Sequence, residues 1–434
     1  MQFSFGCGRG EEAREASGLV FKRTALRRMC PLPKEAKPLG LRSLTVVFVI
    51  LLASAVNSPG QQVTQSEGPK QSALELEKEG KTTEAEAVWK AIVKSNPNNS
   101  EAYAYLGLLE ARQEHYKEAI ANYRKALSLN PKIPGLRLNL GLSLFKAGEL
   151  RSAIETFETL LRSGTITPPE KLRLVTLIGM AEFGLGNYAA SVPYLQQAAA
   201  GDPKNPSLRM TLAQGCLLSK QYQCVLDVYH ELLSLNADSA EAHMLAGEAY
   251  DELSKDSEAV AEFQAAVKDD PAPANAHFGY GYLLFRLSRY DEADKEFRAE
   301  LAMNSEHPLA LAYLGDTEIH LNRPDQAATY LEHAVRVQSS IAIAHRDLGT
   351  IYDGQGRKDD ALRELTTADQ LSPDDSSIHW ALGRLYKSMG RTAEANAEFA
   401  KTKNLQQAKD QSLREKMRQV EAKPGGQSAD SGPR

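Results

Sequence analysis

A small residue recurs along most of this chain at intervals of 34 residues. The interval lengthens once, to 38 residues, between the third and fourth occurrences. Eight of the ten positions hold glycine and two hold alanine, in the order Ala73, Gly107, Gly141, Gly179, Ala213, Gly247, Gly281, Gly315, Gly349 and Gly383. A chain with such a period is expected to fold as a stack of similar units rather than around several separate cores.

Two further positions recur in register with this small residue. Twelve residues after it stands a second small residue, and only Val225 is larger: Ala85, Ala119, Ala153, Ser191, Val225, Ala259, Ala293, Ala327, Ala361 and Ala395. Four residues later comes a large apolar side chain: Trp89, Tyr123, Phe157, Leu195, Tyr229, Phe263, Phe297, Leu331, Leu365 and Phe399. Many units close with proline, as at Pro97, Pro131, Pro203, Pro271 and Pro373.

Ten units with this signature resemble the tetratricopeptide repeat, whose pattern is an aromatic-x-x-Leu-Gly-x-x-Tyr segment, then Ala-x-x-x-Phe, then Pro. The resemblance covers about residues 66–409, although the first unit lacks the opening aromatic and leucine and the fifth has Cys216 in place of tyrosine. It implies an all-α fold, a right-handed superhelical α-solenoid of about ten repeats. Each repeat would be two antiparallel helices joined by a short turn.

The resemblance also gives the recurring glycine a structural role. A glycine inside a helix costs roughly 0.5–1 kcal/mol relative to alanine. We expect Gly247 on the first helix to face Ala259 on the second, so that the two backbones approach closely. The same role is expected for Gly107, Gly141, Gly179, Gly281, Gly315, Gly349 and Gly383.

The N-terminal region, residues 1–56, has the organisation of a secretory signal peptide. Lys34, Lys37 and Arg42 precede an uncharged run from Leu44 to Val56, which ends in small residues. Thirteen residues rise about 20 Å as a helix, which is less than the roughly 30 Å hydrocarbon core of a bilayer. A cleaved signal is the main prediction, and a retained anchor or a buried helix are the alternatives. If translation began at Met29, the segment before the apolar run would have the length that is usual in a signal peptide.

The remaining boundaries follow from composition. Residues 57–68 are predicted to be a polar linker and residues 69–409 the solenoid. Residues 410–421 are predicted to be a C-terminal capping helix, because Leu405, Leu413, Met417 and Val420 form a thin apolar stripe. Residues 422–434 are predicted to be a disordered tail.

The distribution of charge argues against nucleic acid as a partner. The chain carries a net charge of −5, but residues 1–56 carry nine Lys/Arg and four Asp/Glu. The remainder therefore carries −10, whereas binding to phosphates depends on Lys and Arg.

Four histidines, His243, His277, His345 and His379, occupy one position of the repeat. Their spacing places them on different repeats, and helices packed 8–10 Å apart cannot bring several imidazoles to one zinc ion. We expect them to serve packing, with no metal and no cofactor bound. No nucleophile, phosphate-loop or metalloprotease motif is present in the sequence, and the chain is not expected to be an enzyme.

Cys216 and Cys224 lie on the two helices of the fifth repeat, on either side of the turn near Lys220. A separation of about 6 Å between their Cα atoms is compatible with a disulfide, which an oxidising compartment would permit. A disulfide, two free buried thiols and a redox pair all remain open at this point.

The resemblance implies that the first helices line a concave groove. The positions that project into it are mostly apolar in the second to fifth and seventh repeats. The candidate partner-binding residues are Leu108, Leu138, Leu142, Phe145, Met180, Phe183, Met210, Leu217, Met244, Phe278, Tyr282, Phe285, Arg346 and Trp380. Burial of the same side chains between stacked helices is the alternative interpretation.

These observations predict a non-catalytic protein–protein interaction scaffold of the cell envelope or the secreted space. It would bind an extended peptide or a helix of a partner in the groove. The alternatives are a non-catalytic subunit of an envelope enzyme or assembly machine, for example in glycosyl transfer, and a self-associating structural protein. Membrane contact is expected only through the N-terminal apolar segment, if that segment is uncleaved.

Overall fold

The computed structural model describes residues 67–164, 166–237, 239–268 and 273–421. The predicted signal region, most of the linker and the predicted tail lie outside the described residues. The described part contains twenty α-helices and no β-strand, which confirms the all-α repeat solenoid. None of the described helices combines the length and the apolar character that crossing a bilayer requires.

The chain divides into two compact units, each of five repeats. We call the described residues 67–237 the N-terminal stack and the described residues 239–421 the C-terminal stack. The helices of the N-terminal stack are α1 Glu67–Lys78, α2 Thr82–Ser95, α3 Ser100–Arg112, α4 Tyr116–Leu129, α5 Leu136–Lys146, α6 Leu150–Arg162, α7 Pro168–Gly184, α8 Tyr188–Gly201, α9 Pro206–Leu218 and α10 Tyr222–Ser234.

The C-terminal stack has the same order of elements. Its helices are α11 Ala240–Glu252, α12 Asp256–Ala266, α13 Ala276–Arg286, α14 Tyr290–Met303, α15 Pro308–His320, α16 Pro324–Val337, α17 Ala342–Gly354, α18 Lys358–Leu371, α19 Ser376–Ser388 and α20 Thr392–Glu421. Within each stack, the two helices of a repeat pack together and each second helix packs against the first helix of the next repeat.

Two helix boundaries differ from the prediction. Helix α1 begins at Glu67, inside the predicted linker 57–68. The predicted capping segment 410–421 is not a separate helix, because α20 runs without a break from Thr392 to Glu421. No proline or glycine interrupts the sequence between Thr392 and Glu421, so the last repeat helix simply continues.

The glycine at the recurring position lies against the large apolar residue of the second helix, and in three repeats it also lies close to the backbone carbonyl of the small residue. A Cβ atom added to Gly247 would lie 2.9 Å from Cδ2 of Phe263, and one added to Gly141 would lie 2.4 Å from Cε1 of Phe157. The atoms nearest to a Cβ at Gly247 belong to Phe263, a contact that the sequence analysis did not predict. The glycine makes room for a buried ring or leucine, while the small residue keeps the helix backbones close.

The two repeats with alanine at this position support that interpretation. The helix pairs that contain Ala73 and Ala213 contact each other less extensively than those of the glycine repeats. The repeats that carry a methyl group at this position are therefore the ones whose two helices contact each other least extensively.

The turn between the two helices is conformationally constant across all ten repeats. The residue seven positions after the recurring small residue always has a positive φ. Glycine occupies five of these turns, as at Gly148 with φ of 80°, and other residues occupy the rest, as at Lys220 with φ of 65°. The tertiary packing of the helix pair therefore imposes the left-handed turn even where the residue disfavours it.

Candidate interaction surface

The predicted groove residues differ in how much of their surface remains accessible. Six are buried, namely Leu108, Leu142, Phe145, Met180, Phe278 and Tyr282. Seven are half-buried, namely Leu138, Phe183, Met210, Leu217, Met244, Phe285 and Arg346. Trp380 is exposed, with 47% of its surface accessible. The six buried side chains contribute packing, so any partner would meet mainly the other eight.

In the N-terminal stack, four of the half-buried residues form a set that we call the apolar row: Leu138, Phe183, Met210 and Leu217. They lie on α5, α7 and α9, the first helices of three consecutive repeats. The ring of Phe183 reaches the next repeat, because a Cβ atom added to Gly215 would lie 3.7 Å from its Cδ2 atom. The row therefore bridges neighbouring first helices and keeps part of its apolar surface accessible.

In the C-terminal stack, polar and aromatic side chains make contacts between neighbouring first helices. Side chains there join each first helix to the next, and we call them the first-helix row: Asp251 on α11, Tyr282 and Arg286 on α13, Tyr313 and Asp316 on α15, Arg346 on α17, and Ser377 on α19. The guanidinium of Arg286 pairs with Asp251, and the ring centroids of Tyr282 and Tyr313 are 5.1 Å apart in an edge-to-face arrangement. The row is continuous from α11 to α19.

Arg346 is the most highly connected member of the first-helix row. Its Nε donates to Oδ1 of Asp347 at 2.7 Å, and its Nη2 donates to Oδ2 of Asp316 at 3.3 Å. Its Nη1 lies 3.4 Å from the hydroxyl of Ser377. The two carboxyl groups are almost inaccessible. Burial raises the pKa of Asp347 and the guanidinium of Arg346 opposes this shift, so Arg346 favours the charged form of Asp347 while it also pairs with Asp316.

Glu248 on α11 is half-buried beside the other acids of the same helix. Burial, together with the negative charges of Asp251 and Glu252, raises its pKa from 4.5 to about 8. Arg286 of the first-helix row pairs with Asp251 and Asp256. The folded protein therefore retains a proton on Glu248 that the unfolded chain releases above about pH 4.5.

A raised pKa of an acid means that stability is lost as the pH rises from the unfolded value to the folded value. We expect Glu248→Gln to be more stable than the native chain by about 2 kcal/mol at about pH 8.5, and equally stable at about pH 4. Urea unfolding at the two pH values measures the difference. Glu241→Gln, which removes an exposed carboxylate from the same helix, is the control and should show no such pH dependence. An equal effect of Glu248→Gln at both pH values would contradict the assignment.

Each of the four histidines at the shared repeat position has a carboxylate partner that the sequence analysis did not predict. Nδ1 lies 2.7 Å from a glutamate oxygen on the second helix of the same repeat, in the pairs His243–Glu262, His277–Glu296, His345–Glu364 and His379–Glu398. In every case the glutamate follows the histidine by 19 residues, which is a signal that the sequence contains. These pairs join the two helices of a repeat.

The imidazoles of His345 and His379 are contacted at both ring nitrogens. Nε2 of His345 lies 3.0 Å from the carbonyl oxygen of Ser339, and Nε2 of His379 lies 2.7 Å from that of Pro373. These contacts fix each ring between the second helix and the loop that precedes the first helix. Within the described residues, no cluster of three or more His, Cys, Asp or Glu side chains is arranged to hold a metal ion.

Cys216 and Cys224 are joined by a disulfide, and their Cα atoms are 5.9 Å apart. Cys216 is completely buried, and Nε2 of Gln196 on α8 approaches Sγ of Cys224 at 3.8 Å. The bond links α9 to α10 in the repeat that has Ala213 instead of glycine. It therefore ties together one of the two loosest helix pairs.

The geometry described so far defines an α-solenoid built from similar helix pairs. A family model of the tetratricopeptide repeat matches residues 71–134, 138–206, 226–272, 257–308, 278–340 and 314–376, and a second tetratricopeptide repeat model matches 110–165. These matches cover more than half of the chain. The chain therefore belongs to the tetratricopeptide repeat family, whose fold acts as a protein-interaction scaffold and is typically non-catalytic.

Curated relatives are similar over parts of their length. The chain is 28% identical over 148 residues to protein O-mannosyl-transferase TMTC1 of Mus musculus, which covers 33% of this chain and 15% of that protein. It is 24% identical over 174 residues to anaphase-promoting complex subunit 3 of Schizosaccharomyces pombe, which covers 40% of this chain and 26% of that protein. The chain thus spans well under half the length of these relatives.

Solved structures align with parts of the chain at low identity. The crystal structure of the APC/C hetero-tetramer Cut9-Hcn1 aligns with 70% of this chain and 58% of that chain, at 16% identity and a TM-score of 0.45. A tetratricopeptide repeat protein from Parabacteroides merdae aligns with 57% of this chain and 96% of that chain, at 19% identity and a TM-score of 0.45.

Proposed function

We propose that this protein is an exported, non-catalytic scaffold that binds an extended peptide or a helix of a partner protein along its first helices. The observation that carries the proposal is the apolar row. In a helix stack whose other large apolar side chains are mostly buried, Leu138, Phe183, Met210 and Leu217 keep accessible surface on three consecutive repeats. A row of this kind suits an apolar face of a partner segment.

Two features support export. The uncharged run from Leu44 to Val56, which lies outside the described residues, follows basic residues in the order typical of a signal peptide. The disulfide between Cys216 and Cys224 is a bond that persists in oxidising compartments. Both features fit a protein that works in the cell envelope or the secreted space.

The proposal predicts that polar substitutions in the apolar row abolish partner binding without unfolding the chain. The variant is Leu138→Gln, Met210→Gln, Leu217→Gln, because half-buried side chains tolerate a polar replacement of similar size. We expect proteins crosslinked to the native chain in cells and identified by mass spectrometry to be lost from this variant. Circular dichroism melting must first show that its helices are intact.

The matched control replaces three accessible apolar residues on second helices: Leu233→Gln, Met303→Gln, Leu371→Gln. This variant should retain the partners of the native chain. If all three proteins capture the same partners, the apolar row is internal packing and the proposed function fails.

The similarity to part of an O-mannosyl-transferase favours one alternative, a non-catalytic subunit that accompanies a glycosyl transferase. In the same experiment, a glycosyl transferase among the proteins that depend on the apolar row would support it. A mass that rises with concentration in analytical ultracentrifugation would instead support a self-associating structural protein.

A further inference from the structure

Arg173 on α7 is half-buried, and its guanidinium makes no hydrogen bond or ion pair with any residue that the structure describes. Glu170, one turn earlier on the same helix, is engaged elsewhere, because the backbone N–H and the hydroxyl of Thr167 donate to its Oε2 atom at 2.9 and 2.8 Å. A positive charge without a partner is therefore held partly out of water in the N-terminal stack.

The surroundings of Arg173 differ from those of the paired arginines. Burial lowers the pKa of Arg173, and the negative charge of Glu170 opposes this shift without cancelling it. In Arg289 and Arg298, hydrogen bonds to a carboxylate raise the pKa of the guanidinium instead. The protein therefore holds the charge of Arg173 in a place that disfavours it, and an anion brought there would compensate the loss of water.

Two contacts in other repeats show which side chains meet between neighbouring first helices. Nζ of Lys70 lies 2.7 Å from Oε2 of Glu101, and Nη1 of Arg346 lies 3.4 Å from the hydroxyl of Ser377. In both pairs, the first residue stands three positions before the recurring small residue, and the second stands six positions before that of the next repeat. These two positions are therefore neighbours in both stacks.

The same register places Arg173 beside the apolar row. Leu138 stands three positions before Gly141, and Arg173 stands six positions before Gly179 in the next repeat. The longer interval between these repeats does not change the register, because Arg173 and Gly179 both lie within α7. The unpaired guanidinium is thus adjacent to Leu138, and α7 also carries Phe183 of the row.

The groove of this region contains no acid that could pair with Arg173. In the third to fifth repeats, the positions six and three before the small residue, and one, four and five after it, hold no Asp or Glu. Their charged residues are Arg173 and Lys146, and Lys146 lies eight residues from Leu138, about 12 Å along α5. The apolar row is therefore bordered by positive charge alone.

We propose that Arg173 recognises an acidic side chain of the partner segment that packs on the apolar row. An Asp or Glu carboxylate of the segment pairs with the guanidinium, and apolar side chains beside it pack on Leu138 and Phe183. A guanidinium holds a carboxylate through two parallel hydrogen bonds, which fix the register of the segment and reject a lysine at the same place. This inference deepens the proposed function and rests on it, because it assigns the charge of the partner at the same surface.

A display library of random peptides of about 12 residues, which exceed the roughly 20 Å between α5 and α9, tests the inference on the full-length protein. We expect the native chain to select peptides enriched in apolar residues together with Asp or Glu. Arg173→Glu should select Lys or Arg among the same apolar residues, because the charge at the binding position is reversed. The control Arg151→Glu makes the same change of charge at an exposed position of α6 and should select as the native chain does.

One selected acidic peptide, labelled with fluorescein, measures the contribution of its carboxylate. Replacing its glutamate by glutamine should weaken binding to the native chain about tenfold in fluorescence anisotropy and should change binding to Arg173→Gln little. Equal affinity of the native chain for the two peptides would overturn the inference. Acidic residues that persist among the peptides selected by Arg173→Glu would assign the recognition to Lys146 and would overturn it as well.

The free protein provides a test that needs no peptide. Because the guanidinium of Arg173 has no partner in the chain, Arg173→Met should leave the midpoint of urea unfolding unchanged or raise it. A lower midpoint would mean that Arg173 stabilises the folded chain, and its assignment to a partner would be wrong.

Failure of the inference is distinguishable from failure of the proposed function. If the selected peptides are apolar without enrichment of acids, and the apolar row variant does not select them, only the role of Arg173 fails. If the apolar row variant selects the same peptides as the native chain, the proposed function fails. If ultracentrifugation shows a dimer that Arg173→Glu abolishes, a second copy of the chain occupies the row and the assignment of a partner protein is wrong.

Discussion

A single methyl group added at Gly141 is expected to destabilise the third repeat by about 1–3 kcal/mol, even though alanine is the better helix former. The Cβ atom of Gly141→Ala would lie 2.4 Å from Cε1 and 2.8 Å from Cδ1 of Phe157, a ring that is completely buried. Relief requires either an unfavourable ring position or a wider separation of α5 and α6. Hydrogen exchange of the amides in α5 and α6, together with urea unfolding of the chain, measures the loss.

The matched control is Gly354→Ala. Gly354 also lies in a first helix, but no atom lies within 4 Å of the position that its Cβ would take. This variant should be neutral or more stable by up to about 1 kcal/mol, because alanine lowers the conformational entropy of the unfolded chain. Equal effects of the two substitutions would show that helix propensity, and not the space beside Phe157, determines the preference for glycine.

Removal of the positive charge of Arg346 is expected to cost about 3–5 kcal/mol of stability. Arg346→Met leaves the carboxyl groups of Asp316 and Asp347 buried without their cation. Among the residues that the structure describes, only His320 then remains within 4 Å of Asp316 as a basic partner. The change should appear as faster hydrogen exchange in α15 and α17 and as a lower midpoint of urea unfolding.

Two comparisons identify the cause of this loss. The triple variant Arg346→Met, Asp316→Asn, Asp347→Asn removes all three charges and should recover at least half of the stability, because no unpaired charge remains buried. Arg289→Met breaks an exposed pair with Glu292 and should cost at most about 1 kcal/mol. A triple variant as unstable as Arg346→Met would mean that Arg346 acts by packing rather than by charge.

The repeat architecture could be predicted from the sequence because it depends on local and periodic information. The positions of Gly107 to Gly383, and of the small and large residues that follow each of them, identify the helix pairs without knowledge of any distant contact. The histidine–glutamate pairs could also have been predicted from the sequence, because each histidine precedes its glutamate by 19 residues. That signal was missed because the histidines were considered only as packing residues or metal ligands.

The periodic pattern could not predict which side chains of the candidate groove remain accessible. Leu138 and Leu142 lie one turn apart on α5 and are equally apolar, yet Leu138 keeps accessible surface and Leu142 is 1% exposed. The difference depends on how the neighbouring first helices cover each side chain. The pairing of Arg346 with Asp316 likewise joins residues of different repeats, 30 positions apart.

The sequence by itself determined the class of fold and the length of the repeat, because close packing within a helix pair restricts residue size at fixed positions. Only the tertiary structure decided which of the predicted groove residues are accessible and which charges are paired. Accessibility and electrostatics depend on the stacking of one repeat on the next, and a residue-by-residue pattern does not contain that geometry.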